Sequence, residues 1–362
     1  MRKQIFTSFA NKLKKKLKEL RIVYFLYYNV YKLVTDRRNR KHVKELLSLT
    51  AYKERKSRFK MFWHMVFMCF VTRALYVDYF KLSFYNKSFK KTNMLLTRGR
   101  YDLLYPLLST NENRKIMNEK DLFLSVFKAY IKRDWLALNN ELTIGQLTEF
   151  VLKNPTFIAK PRSLNQGQGI EFVEASRFLS IHEMLAYLKS KNLFVIEERV
   201  YNHEALSKFS RNALSIVRIV TLRLPEKVEI ISAFLRFNII VDIVDNFSPG
   251  AYECPIDLDE GVIIKGVCDG INYDQYYDTH PFGFNVIGIK IPFWEEMINM
   301  VKEAALTLDN VYFIPWDVAI SPDGPLIIEG NNNPGYKFQL IHDQINAYKM
   351  MKRAYRFAKT KK

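Results

Sequence analysis

Apolar residues recur along this chain at two spacings, and the change between them falls near residue 150. Before that point the spacing is helical. Ile5, Phe6, Phe9, Leu13, Leu17 and Leu20 stand among lysines, with Tyr24, Leu26, Tyr27, Val30 and Tyr31 following. That pattern predicts a basic amphipathic helix over residues 3–34. Residues 45–145 carry further helical runs, broken by loop-like stretches at Asn86 to Lys91 and Ser109 to Asn113. The most apolar stretch, Met61 to Val71, has 11 residues bounded by Arg58, Lys60 and Arg73. It is too short to cross a bilayer and reads as a buried helix.

After residue 150 strands alternate with helices. Thr156 to Lys160 is a short strand. Ser180-Ile-His-Glu183 has the spacing of a capping box and opens a helix running to about Lys191. Leu193 to Val200 is a strand. Ser215 to Leu224 and Val228 to Val241 form a hairpin through Pro225-Glu226-Lys227. Pro292 starts an amphipathic helix ending near Asp309. Val311 to Ile320 and Leu326 to Asn331 make a last hairpin around Ser321-Pro-Asp-Gly324. Hairpins mixed with helices predict an α+β fold, not a doubly wound parallel sheet. The expected divisions are a basic helical appendage (1–55), a helical region (56–145) and an α+β region (146–350).

Composition sharpens this picture in two ways. Residues 1–60 hold 19 Lys/Arg against four acids, so +15 of the chain's net +19 lies there and the body is close to neutral. A basic, aromatic-rich helix suits an anionic membrane surface. It equally suits a solvated helix packed on its own domain. No nucleic-acid-binding motif accompanies the charge. Three scattered cysteines, Cys69, Cys254 and Cys268, fit neither a disulfide framework nor a zinc site and accord with a reducing cytosol. No apolar leader is legible, which also points to the cytoplasm.

Four constellations carry candidate chemistry. In Phe157-Ile-Ala-Lys160 a lysine ends an apolar strand, and Gln166, Gly167 and Gly169 follow in a loop. Such a loop lets backbone N–H groups approach phosphate oxygens, with the lysine as counter-charge. An ordinary hairpin turn has the same appearance. In the last hairpin, Glu329 and Asn331 share one strand face, and Asp317 lies nearly opposite Glu329 on the partner strand. Three converging oxygen donors suit Mg²⁺ rather than zinc. The alternative is an exposed polar hairpin end, weakened by the apolar neighbours of both acids. Arg218 shares an apolar strand face with Ile216, Val220 and Leu222, and needs an anion there: a phosphate, a substrate carboxylate or a structural acid. Arg236 on the next strand invites the same readings. Glu197 and Glu198 end a strand before a chain reversal at Val200, where they could meet an adenine amine and ribose hydroxyls.

Taken in order, these segments resemble the ATP-grasp superfamily. The Lys160 to Gly169 segment is similar to its phosphate-covering element, Glu197, Glu198 and Val200 to its adenine and ribose hinge, and Asp317 with Glu329-Gly-Asn331 to its metal triad. Lys120, in Asn118-Glu-Lys-Asp121, resembles an earlier ATP-binding lysine. Within the superfamily the chain is most similar to the sugar-transfer-associated branch, related to the α-L-glutamate ligases. Asn212 to Leu222, Val244 to Gly250, Ile314 to Ile320 and Asp323 to Asn331 carry that likeness. Two departures bear on substrate placement: Asn212-Ala213 stands where the branch usually has Asn-Thr, and Gly250-Ala251 where it has Gly-Gly.

The resemblance implies two α+β lobes clasping ATP, preceded by an N-terminal helical region. It implies ATP and Mg²⁺ as cofactors. It also implies joining of a carboxylate to an amine through an acyl phosphate, in the biosynthesis of a cell-surface polysaccharide. Arg218 would stabilise the transferring group and Arg236 would orient the carboxylate. The substrates would be small molecules or glycan precursors, with peripheral contact to anionic membrane through residues 1–45. Two competing readings stand beside this one. Asp257-Leu-Asp259 could be the metal motif of a glycosyltransferase using a nucleotide sugar, although Glu260-Gly261 and an apolar strand follow it as they would a hairpin turn. The chain could also be a non-catalytic nucleotide-binding membrane adaptor.

Overall fold

The structure is a computed structural model that describes residues 23, 25–31, 35–163, 169–210, 212–239, 251–268, 276–331, 336–340 and 346–361. Two compact units divide the chain: Met1–Leu107 with Gly335–Arg356, and Leu108–Pro334 with Phe357–Lys362. Among the described residues no helix is long and apolar enough to cross a membrane. The expected helix over 3–34 lies mostly outside the described residues.

The first unit is helical. Its longest helices are Arg37–Lys53, capped by the Asp36 carboxylate, and Arg58–Thr72, capped by the Ser57 hydroxyl. Their apolar faces meet in a core with Tyr79, Leu82 and Phe84. Asp78 is buried at its centre. It accepts from the backbone N–H groups of Leu75 and Arg98 and from the Tyr336 hydroxyl. The expectation for Met61 to Val71 holds as a helix but not as a buried one. Met61, Met65, Met68 and Cys69 face inward, while Trp63, Phe67 and Phe70 are exposed.

The second unit is α+β and carries two antiparallel sheets. The smaller joins β1 (Trp135–Ala137), β2 (Thr156–Lys160), β3 (Glu171–Glu174) and β4 (Val195–Glu198) in the order β1-β4-β2-β3. The larger joins β5 (Ile216–Arg223), β6 (Val228–Phe237), β7 (Tyr252–Pro255), β8 (Phe313–Ser321) and β9 (Gly324–Gly330) in the order β7-β6-β5-β8-β9. Strand β2 and the β5-β6 and β8-β9 hairpins fall where the sequence put them. Strands β1, β3 and β7, each three or four residues long, were not expected.

Alternation along the larger sheet separates two faces. Val217, Ile219, Trp316, Val318, Ile320 and Ile327 pack in the core with Met297, Met300 and Val301 of the helix Trp294–Ala304. Trp316 is fully buried, edge-on to Phe127, and its indole N–H donates to Thr221 Oγ1 at 3.0 Å. Truncating it to Ala would cost about 3–5 kcal/mol. The intervening positions carry Arg218 on β5 and Asp317 on β8.

The helix opened by Ser180 spans Ile181–Ser190, and Ser180 Oγ accepts from the N–H of Glu183. Glu183 returns its bond to Leu179 rather than to the cap residue itself. The helix after Pro292 ends at Ala304, short of the expected Asp309.

Candidate active site

All five strands of the larger sheet contribute to a row of charges on one face. Arg218 on β5 is the register partner of Asp317 on β8, and Asp317 is the partner of Glu329 on β9. The Arg218 guanidinium clasps Asp317 with both prongs, Nε to Oδ1 and a terminal nitrogen to Oδ2, each at 2.5 Å. Both side chains are buried. Of the three anions the sequence left open for Arg218, the structure supplies the structural acid. Burial opposes the guanidinium charge, but the Asp317 carboxylate overrides it and holds the proton more tightly than usual. Each Asp317 oxygen keeps a second lone pair for another partner. Arg236 on β6 makes an analogous pair with Glu253 of β7. Glu253 is buried, and its second oxygen takes no hydrogen bond among the described residues. A structural acid was among the readings for Arg236, but Glu253 was not among the residues singled out for it.

The alignment of Asp317 with Glu329 depends on a bulge. The turn pairs Ser321 with Gly324, and regular pairing from there would bring Ile328 opposite Asp317. Instead Val318 pairs with Ile327 and Asp317 with Glu329, leaving Ile328 as the extra residue. A buried arginine holds this kink. Arg133 donates to the carbonyls of Ile327 at 2.7 Å and Ile328 at 3.3 Å. Its other edge binds Glu197 Oε2, from Nε at 2.7 Å and a terminal nitrogen at 2.5 Å. Lys160 Nζ reaches the second Glu197 oxygen at 2.8 Å. One arginine therefore links the lysine-bearing strand of the small sheet to the acid-bearing ribbon of the large one.

Glu197 is fully engaged by these cations. Burial alone would raise its pKa, but Arg133 and Lys160 outweigh that and pull it down to about 2. Glu198 accepts from the backbone N–H of Asp134 at 3.0 Å, and Val200 is half-buried just beyond the strand.

Lys120 opens the helix Lys120–Val126, and its N–H donates to the carbonyl of Arg162 at 2.9 Å. Arg162 grips Asp121 with two bonds of 2.9 Å and lies 3.0 Å from Glu119. The base of the lysine loop is thus tied to the turn that presents Lys120. Burial lowers the pKa of Lys120, with Glu329 opposing. Gly169, at φ 69°, closes the loop in a left-handed conformation. Gln166 and Gly167 lie outside the described residues.

Glu329 is pushed up to about 7, first by burial and then by the neighbouring Asp317 charge; Arg218, Lys160 and Lys120 act against it. Two carboxylates and two lysines therefore share one electrostatic neighbourhood. Asn331, the third oxygen donor expected from the sequence, directly follows β9, its N–H donating to the Pro315 carbonyl of β8 at 2.8 Å. Two crowded carboxylates and an amide fit a hard divalent cation such as Mg²⁺. Gly330 separates them because its opposite side has no room: an added Cβ would lie 2.3 Å from Met117 Cε and 3.0 Å from Phe123.

Asp257-Leu-Asp259 forms a tight turn. Asp257 Oδ1 accepts the N–H groups of Asp259 and Glu260, and Gly261 follows at φ 69°. Those bonds belong to an Asx-type turn rather than to an open metal site.

Two antiparallel sheets, one bearing a lysine strand with its glycine loop and the other an acidic ribbon, define the ATP-grasp class. The family profile described as Sugar-transfer associated ATP-grasp matches residues 102–352, and the chain belongs to that family. Solved structures with similar folds include the D-alanine-D-alanine ligase from Coxiella burnetii, at 11% identity over 73% of this chain and 68% of that chain, TM-score 0.41. The D-alanine-D-alanine ligase from Bacillus anthracis complexed with ATP shares 13% identity over 68% of this chain and 67% of that chain, TM-score 0.38. The biotin carboxylase domain of Hydrogenobacter thermophilus 2-oxoglutarate carboxylase, in complex with MgADP, shares 11% identity over 66% of this chain and 46% of that chain, TM-score 0.41. The chain thus spans about two thirds of the two ligases and less than half of the carboxylase domain. No curated protein matches its sequence.

Proposed function

We propose that this chain is an ATP- and Mg²⁺-dependent ligase that joins a carboxylate to an amine or similar nucleophile through an acyl phosphate. The observation that carries the proposal is the shared neighbourhood of Lys120, Lys160, Asp317 and Glu329. It pairs cations suited to phosphate oxygens with acids suited to a divalent ion. Bound Mg²⁺ would neutralise charge on the β- and γ-phosphates, and Asp317, Glu329 and Asn331 are the groups to hold it. Lys160 and Lys120 bind the phosphates, with Gln166, Gly167 and Gly169 covering them. Glu198 and Val200 line the adenine and ribose side, and Glu197 acts there by fixing Lys160. Arg218 stabilises charge at the transferred group, sharing its guanidinium with Asp317, and Arg236 orients the carboxylate substrate. Catalysis is positioning and charge neutralisation, so no side-chain nucleophile is required.

The catalytic region comprises residues 146–350, served by Lys120 and Arg133 from the helical region 56–145. Residues 1–55 form an appendage whose first 45 residues contact anionic membrane from the cytoplasmic side. The substrates belong to cell-surface polysaccharide assembly, a reading supported by the family's association with sugar transfer. The test is ATP-dependent phosphate release across a matrix of carboxylates and amines, with Asp317→Asn and Glu329→Gln as controls. Both variants should lose turnover and keep their far-ultraviolet circular dichroism. Wild-type turnover in either variant refutes the acid assignment. Stabilisation by a nucleotide sugar but not by ATP would favour the glycosyltransferase reading.

A further inference from the structure

The helix Arg58–Thr72 buries one side and leaves a row of aromatics on the other. Phe59, Trp63, Phe67 and Phe70 are 72%, 55%, 55% and 36% exposed. Their spacing of four, four and three residues aligns them along one helix face, over about 16 Å. Phe89 extends the row sideways, its ring 6.4 Å from that of Phe67. Scattered apolar residues on a surface need no explanation, but a contiguous row of four large rings does.

The surroundings of the row are basic. Residues 53–60 hold Lys53, Arg55, Lys56, Arg58 and Lys60 against the single acid Glu54. Glu54 is already occupied by the Asn86 amide at 2.8 Å. Residues 79–101 add Lys81, Lys87, Lys90 and Lys91 and no acid, while Arg98 pairs with Asp102 and Arg100 is buried. The two groups adjoin: Lys56 Nζ donates to the Tyr85 carbonyl at 2.5 Å and to Asn86 Oδ1 at 2.8 Å. Lys90 and Lys91, both exposed, follow Phe89 directly.

We propose that this face docks on an anionic bilayer surface, its rings in the headgroup–acyl boundary and its lysines and arginines over the lipid phosphates. Tryptophan and phenylalanine beside lysine and arginine are the side chains that this boundary favours. Protein interfaces, in contrast, are depleted in lysine. The docking face belongs to the first unit, and it needs nothing from residues 1–22.

The test uses the full chain with vesicles of phosphatidylcholine alone or with about 30% phosphatidylglycerol, at about 100 mM salt. Sedimentation should show binding only to the anionic vesicles. Acyl-brominated lipids should quench Trp63, and the quenching should fall sharply in Trp63→Phe, whose remaining tryptophans are the buried Trp294 and Trp316 and the half-buried Trp135 of β1. Trp63→Ser with Phe67→Ser should lower partitioning about tenfold or more, with an unchanged melting curve because both rings are exposed. Lys90→Glu with Lys91→Glu should erase the preference for anionic lipid. Deleting residues 1–22 should leave Trp63 quenching in place. If the chain binds vesicles but Trp63 is never quenched, or if that deletion alone abolishes binding, the proposal falls and the contact belongs to residues 1–45 alone. It falls equally if the double serine variant partitions like wild type. A dimer dispersed by Phe67→Ser, or capture of an RNA oligonucleotide, in a chain that ignores vesicles would also overturn it.

Discussion

Replacing Glu197 by Gln tests whether the Arg133–Glu197–Lys160 cluster stabilises the fold by charge. The carboxylate is held at about 2 against an ordinary 4.5. That gap, at 1.36 kcal/mol per pH unit, favours the ionised form in the folded protein by about 3 kcal/mol. The Gln variant also leaves two cations facing each other with side chains only 2% and 13% exposed. Breaking a buried pair in this way costs about 3–5 kcal/mol at neutral pH. The sign follows from the lowered value. Stabilisation is fully present above the unfolded pKa of 4.5 and is lost as pH falls toward the folded value near 2. Urea unfolding of both proteins across a pH series should therefore show a constant wild-type advantage above about pH 5, shrinking below it. An advantage that persists undiminished at about pH 2.5 would mean that shape, not charge, holds the cluster. A difference below about 1 kcal/mol at pH 7 would refute the argument outright.

Two further substitutions probe the frame around the acids. Gly330→Ala forces a methyl group against Met117 and Phe123 and should destabilise by about 1–3 kcal/mol in thermal unfolding; an unchanged melting temperature would show that Met117 simply swings aside. Arg133→Met keeps the bulk but frees the Ile327 and Ile328 carbonyls and half of the Glu197 carboxylate. It should raise the KM for ATP more than it lowers kcat, because Lys160 loses its fixed position; equal effects on both would place Arg133 elsewhere in the mechanism.

The parts of this fold that were legible in the sequence are those written in local signals. Ser321-Pro-Asp-Gly324 and Pro225-Glu226-Lys227 are turn chemistry, and the strands around them alternate or run apolar long enough to be read. Strands β1, β3 and β7 are too short to establish a period; β1 is fixed by β4, far along the chain, and β3 and β7 by the strands before them, across loops without turn signals that set a register. Arg133 had no local signal either. It stands 64 residues before Glu197 and 194 before Ile327, and the partners that explain it meet only after both sheets have formed. Arg218 and Asp317 were each recognised as charges in need of a partner, and a structural acid was one of three readings for Arg218, yet the two were not matched with one another. The reason is physical: 99 residues separate them, and a cross-strand neighbour is invisible until the order of strands is known. The exposed face of the helix Arg58–Thr72 was missed because a run of apolar residues reads as burial on every side.

The bulge at Ile328 separates two requirements that a plain hairpin would bind together. In a regular ribbon the loop dictates which residues stand opposite each other all the way down, so any adjustment of the loop is felt at the acids. Here the offset is introduced one residue before Glu329 and is pinned from outside by Arg133. The Ser321–Gly324 end is consequently free to vary for quick closure or solubility, while the carboxylate spacing stays under separate control.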